Sequence, residues 1–343
     1  MMDKFPTFSS VLGQEAAISW LTRAYQSDRL PHGLVFAGPP GVGKATTARV
    51  LAALYLCPNP DGVTPCGKCE SCRLMAADNH PDFANVYRQL RRIEKKDAAA
   101  KDLSIDVIRQ YLVAPANLKP ALNHGKVFVI EEAELMNAAA QNSLLKTLEE
   151  PFGRTLIILL SDQPESLLPT IRSRTQTVRF HALEPALVAK ELHDRNIDPA
   201  TAEQAADLAE GSLGTALKWI DDGVIPFARQ LHQHLDDLLA GHPPDNLAEF
   251  FKTAAEAYAK KQVEHDENTS LDQAKREALS LYLRLAAQRF RRLLKESDYA
   301  GDLDLACTAI ESIARADDYL DANVSIPIIF QQLALALTRL TAA

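Results

Sequence analysis

The sequence predicts a doubly wound α/β domain followed by an all-helical region. Short, nearly continuous apolar runs alternate with amphipathic segments over the first 182 of 343 residues, the pattern of parallel strands covered on both faces. A glycine-rich loop joins the first such run to a helix-like stretch. After His181 the strand-like runs stop, and apolar residues recur at helical spacing.

The predicted strands are 34–37, 83–87, 126–130, 155–160 and 177–180, a five-stranded parallel sheet. Helical patterns separate them at 14–27, 44–56, 104–114 and 137–149. Residues 185–221 read as three short helices with breaks at 196–199 and 211–212. Beyond Pro226, Phe227, Leu231, Leu235, Leu238 and Leu239 share one helix face, as do Leu247, Phe250, Phe251, Ala254 and Tyr258. Further helices are expected near 271–296, 302–321 and 326–341. The reading divides the chain into an α/β domain (1–182), a small helical lid (183–224) and a helical bundle (225–343).

Composition narrows the function classes. Apolar residues make up 47% and charged residues 24%, ordinary for a soluble globular chain. No run is long and apolar enough to span a bilayer, and the N-terminus lacks the apolar core of a signal peptide, so a cytoplasmic location with no membrane contact is expected. The net charge of −8 is uneven: residues 1–182 hold 21 Lys and Arg against 18 Asp and Glu, and the remainder holds 16 against 27. An acidic chain is a poor free binder of nucleic acid. The basic stretch 88–101, with Arg88, Arg91, Arg92, Lys95 and Lys96, reads as a solvated face, and only weakly as a DNA-binding module.

Two constellations carry chemistry. Gly38-Pro39-Pro40-Gly41-Val42-Gly43-Lys44 lies between a strand and a helix, where converging backbone N–H groups and a helix N-terminus cradle phosphates and Lys44 reaches the β/γ phosphates. The next position should offer a hydroxyl to Mg²⁺, but it is Ala45. Thr46 is turned about 100° away and is a poor substitute. The apolar run 127–130 ends in Glu131 and Glu132, the Walker B pattern: the first carboxylate orients Mg²⁺, the second activates water. Glu131 is one methylene longer than the usual Asp, which matters to an ion demanding tight octahedral geometry. A degenerate ATP/Mg²⁺ site results, either a retained scaffold or a working ATPase.

Cys57, Cys66, Cys69 and Cys72 form a C-x8-C-x2-C-x2-C array, with Pro65 and Gly67 permitting tight turns, and suit a closed, structural Cys₄ zinc site. The fifth cysteine, Cys307, falls on an apolar helix face and is expected in the core.

Together these stretches resemble the AAA+ clamp-loader subunits of bacterial DNA polymerase III. The resemblance runs through Val11-Leu12-Gly13-Gln14, Leu30-Pro31-His32, the phosphate loop, the four cysteines, His80-Pro81-Asp82, residues 105–109, the Walker B strand, residues 142–151 and Ile171-Arg172-Ser173-Arg174. It implies an AAA+ fold with a zinc module in an insertion over 57–72, a helical lid and a C-terminal collar. It also implies that Ser161 is a sensor 1 residue, and that Arg174, in a Ser-Arg-Thr variant of the family's Ser-Arg-Cys motif, is an arginine finger acting in trans. Gly214, in Gly211-Ser212-Leu213-Gly214-Thr215-Ala216-Leu217, stands where a motor subunit places a sensor 2 Arg. Departures at 45, 131 and 214 point to a stator with weak or no ATPase. As such it would join delta and tau/gamma subunits in a hetero-pentamer that sets a sliding clamp on primed DNA. The rival reading is an active tau/gamma-like motor.

Overall fold

The computed structural model describes residues 7–90, 102–242, 247–265, 270–297, 299–322 and 324–341. Most of the basic stretch, including Arg91, Arg92, Lys95 and Lys96, lies outside the described residues. The apolar runs become strands β1 (Gly33–Ala37), β2 (Phe83–Val86), β3 (Lys126–Ile130), β4 (Thr155–Ser161) and β5 (Gln176–Arg179). They form one parallel sheet in the order β2-β3-β4-β1-β5. Every residue of β1, β3 and β4 is buried, which is why these three read as unbroken apolar runs rather than alternating ones.

Helices cover both faces. On one lie α1 (Glu15–Gln26) and α2 (Lys44–Leu56), whose Leu21, Leu51 and Leu54 pack with Leu34, Phe36, Leu156 and Ile158. On the other, α3 (Ile105–Ile108) and α4 (Ala138–Glu149) bring Ile108, Leu144 and Leu148 against Val35, Phe128 and Ile157. The helical stretch expected over 104–114 begins as α3 but widens into a π-turn over Arg109–Val113. Asn137 caps α4 by accepting the Ala140 N–H at 2.9 Å. A short helix, α5 (Pro169–Arg172), precedes β5.

The chain divides into two compact units. The first comprises the residues up to Glu184 with Gly211–Gly214; the second comprises Pro185–Glu210 and the chain from Thr215 onward. In the second unit, α6 (Pro185–Asp194), α7 (Pro199–Leu208) and most of α8 (Leu213–Asp221) belong with the long helices α9 (Val224–Leu239), α10 (Leu247–His265), α11 (Leu271–Glu296), α12 (Ala300–Asp321) and α13 (Ile326–Thr341). Phe251 and Phe330 meet at 4.5 Å between ring centroids, and Tyr282 is buried among Phe227, Phe250 and their neighbours. Arg292 grips the Asp207 carboxylate at 2.7 Å, and Gln288 donates to the Leu208 carbonyl, tying α7 to α11. Among the described residues, no helix is long and apolar enough to cross a membrane.

Cys307 is exposed rather than in the core. The buried stripe of α12 runs through Ala306, Ala309, Ile313, Ala316 and Leu320, and Cys307 sits one residue, about 100° of rotation, off that line.

Candidate functional site: a phosphate loop and a four-cysteine cluster on one helix

Helix α2 carries a candidate site at each end. Its N-cap, Gly43, has φ 99°, a left-handed conformation that a residue with a Cβ rarely adopts. The loop Gly38–Gly43 leaves the carboxyl end of β1, where ligands bind in open α/β sheets. β4 is inserted between β1 and β3, so Ser161 at its tip lies between the phosphate loop and the acid-tipped strand. The Ser161 carbonyl accepts the Gly38 N–H at 3.1 Å, and its buried hydroxyl accepts the Gln163 N–H at 3.2 Å.

Lys44 is buried, and its ammonium donates to the Gly38 and Pro39 carbonyls at 2.5 and 2.6 Å. Burial lowers its pKa, and the nearby carboxylates of Asp162 and Glu134 oppose that fall. Ala45 and Thr46 are both exposed, whereas Thr47 is buried and donates to the Gly43 carbonyl at 2.8 Å. No hydroxyl follows Lys44 directly. Instead, Ala45, Thr46, Asn85 and Glu131 line a cleft of about 320 Å³. Glu131 accepts from Asn85 at 2.7 Å, and Glu132, with φ 50°, is ion-paired to Arg88 at 2.9 Å.

The segment Gly211–Gly214 is seated on the loop itself. Gly214 N–H donates to the Gly41 carbonyl at 2.9 Å, and the Ser212 hydroxyl donates to the Pro40 carbonyl at 2.8 Å. A Cβ at position 214 would lie 2.9 Å from Gly41 Cα and 3.0 Å from its carbonyl oxygen, closer than backbone tolerates. Arg174 follows α5. Its Nε and Nη2 reach one oxygen of Glu149, the last residue of α4, at 2.7 and 2.5 Å, and its Nη1 donates to the Thr170 carbonyl. Thr175 donates to the Ile171 carbonyl at 3.0 Å, a bond that holds the turn.

At the other end of α2, Cys57 is the C-cap residue. A seven-residue helix, Glu70–Ala76, begins behind Cys69, whose sulfur accepts the Cys72 N–H at 3.3 Å. Cys57 and Cys69 sulfurs are 4.0 Å apart, as are those of Cys66 and Cys72, and all four lie within 4.8 Å of one another. These spacings are about twice a disulfide bond. They approach the roughly 3.8 Å edge of a tetrahedron with metal–sulfur bonds of about 2.3 Å. Backbone N–H groups of Lys68 and Cys69 pull the Cys66 thiol down to about 6, while burial raises those of Cys57 and Cys72. The donor set therefore fits a thiophilic, zinc-like ion. Beneath it, buried His80 joins Ser71 at 2.9 Å and accepts the Asp82 N–H, and Asp82 accepts the N–H groups of Ala121 and Leu122.

The structure thus groups Gly38, Gly41, Gly43, Lys44, Ala45, Thr46, Glu131 and Ser161 at the carboxyl edge of the sheet, and draws Cys57, Cys66, Cys69 and Cys72 into one cluster. Glu132 is engaged by Arg88. The sequence reading missed Glu134 and Asp162, and it named Arg88 and Glu149 without their partners. It named Gln14 in the resemblance, but not that this buried side chain donates to the Val42 and His181 carbonyls and so fixes the loop to the end of the sheet. Each partner is far away in the chain, and no local spacing signals it.

The sheet order, the phosphate loop beyond β1 and the intervening Ser161 strand define an AAA+-type P-loop domain. A family model described as "DNA polymerase III, delta subunit" matches residues 13–184. DNA polymerase III subunit delta' of Pseudomonas aeruginosa is 36% identical over 213 residues, covering 61% of each chain. That of Bacillus subtilis is 32% identical over 195 residues, covering 57% of this chain and 56% of its own. The tau/gamma subunit of Haemophilus influenzae is 31% identical over 71% of this chain and 34% of its own. A solved gamma subunit-related protein of Thermotoga maritima aligns over 94% of this chain and 99% of its own, with 18% identity and a TM-score of 0.45. The chain belongs to the delta-prime family of DNA polymerase III clamp-loader subunits. The matches span a little over half the length of the two delta' relatives.

Proposed function

We infer that the chain is the stator of a clamp loader: a ring member that lends Arg174 to a neighbouring motor's triphosphate and hydrolyses little or no ATP itself. It would assemble with delta and tau/gamma subunits in a hetero-pentamer that loads a sliding clamp on primed DNA. Residues 183–224 would act as the lid and 225–343 as the collar.

The observation that carries this reading is the seating of Gly214 on Gly41. A motor needs a long cationic side chain at that position, and the backbone of the chain's own phosphate loop fills the space where one would begin. Three further features support it: Ala45 offers no ligand to Mg²⁺, Glu132 is engaged by Arg88, and Lys44 is satisfied by loop carbonyls. The Arg174 guanidinium is partly exposed and held only by a carboxylate and local oxygens, so it can be handed to another subunit's phosphate. The four-cysteine cluster would hold structural zinc, which pins the 57–72 insertion to the end of α2 and supplies no chemistry to the nucleotide.

The test is a reconstituted loader carrying Lys44→Ala in this chain alone. DNA-stimulated ATPase unchanged from the parent complex is the expected result. Loss of a share comparable to one motor would establish the rival reading, an active tau/gamma-like subunit.

A further inference from the structure

We propose that the helical unit holds a second metal site, formed by Asp221, Asp222 and His265 and taking a borderline divalent cation. Asp221 and Asp222 sit at the corner between α8 and α9, and His265 is the last residue of α10. The three side chains each present a ligand atom within 4.8 Å of the others. His265 Nε2 lies 3.9 Å from Asp221 Oδ2, and its Nδ1 lies 3.8 Å from Asp222 Oδ1.

Asp222 makes this more than a surface cluster. It is 5% exposed, and among the described residues its buried Oδ2 has no hydrogen-bond partner, while Oδ1 accepts from Gln262 at 2.7 Å. An unpartnered oxygen on a buried carboxylate is costly unless a cation meets it. Among the described residues, no Lys or Arg pairs with it. Lys261, on the adjacent turn of α10, spends its ammonium on the Asp221 main-chain carbonyl at 2.5 Å.

One imidazole and two carboxylates suit Zn²⁺, Co²⁺ or Mn²⁺. Ca²⁺ would need six to eight oxygens, more than these residues offer. The outer faces of Asp221 and His265 are open, leaving room for water to complete the shell. The ion would clamp the α8–α9 corner to the end of α10, inside one compact unit and unlike the thiolate cluster in every donor.

The experiment is a Co²⁺ titration of the full chain carrying one equivalent of zinc, enough for the thiolates alone, followed by visible absorption and equilibrium dialysis. About one Co²⁺ per chain is expected, in weak d–d bands with no sulfur-to-cobalt charge transfer, and Asp222→Asn should weaken it at least tenfold. His265→Gln, at a half-exposed side chain, should do the same. No binding beyond the thiolates, a thiolate charge-transfer band alone, or variants that bind like the parent would each overturn the proposal.

Discussion

The two ends of α2 make a comparison within one helix. At its N-terminus the phosphate loop keeps the backbone of a nucleotide site: left-handed Gly43, a buried lysine, and the sheet edge with Ser161 beneath. No hydroxyl directly follows Lys44, Glu131 still lines the cleft, and the chain's own Gly211–Gly214 lies across the loop. At its C-terminus the reverse holds. Four sulfurs stand at spacings close to those of a metal tetrahedron, and backbone N–H groups already favour a thiolate at Cys66. Every α2 residue from Thr47 to Leu56 except Arg49 is buried, so the helix contributes to the core whatever its two ends bind.

That contrast is most easily broken at the cysteine end. Cys72→Ser should abolish stoichiometric zinc and cost several kcal/mol of stability, read as a fall in melting temperature and as proteolysis within 57–76. In the parent protein a thiol reagent should find one fast group, exposed Cys307, and all five only after chelation. Four fast thiols in the zinc-replete protein would dissolve the comparison.

Smaller effects belong to the loop. Gly214→Arg restores the residue type of a motor, yet its Cβ would press on Gly41. A loss of about 1–3 kcal/mol with no gain in Mg²⁺-ATP affinity is expected from calorimetry and titration of the same sample. Tight nucleotide binding by that variant would mean that position 214, not the loop, had silenced the site. Glu149→Gln should move stability by less than about 1 kcal/mol, since Arg174 and Glu149 are 35% and 48% exposed and the pair is screened. In a reconstituted loader it should leave ATPase intact or raise it, because the arginine is released from its own chain. A fall comparable to loss of Arg174 would make Glu149 a partner in the active arrangement instead of a resting place.

The fold was largely legible in the sequence because burial on both sides writes itself as unbroken apolar runs. All five strands and the helices from 185 to 341 lie within a few residues of their expected limits. The Glu70–Ala76 helix escaped notice because its seven residues are too few to show a periodicity. The π-turn at Arg109–Val113 leaves no compositional mark. Cys307 was misplaced because small residues dominate α12, and its buried stripe is Ala-lined one position away. In the site, loop and cysteines were readable as local motifs. The pairing of Arg174 with Glu149, the seating of Gly214 on Gly41 and the engagement of Glu132 by Arg88 join residues 25 to 173 positions apart, and only packing reveals them.

If this chain acts on a neighbour's nucleotide, DNA-stimulated ATP turnover by the assembled loader depends on Arg174, and Arg174→Ala in this chain alone reads it. A fall of about tenfold or more at the neighbouring motor, with assembly and zinc content unchanged, is expected. Turnover equal to the parent complex would contradict it.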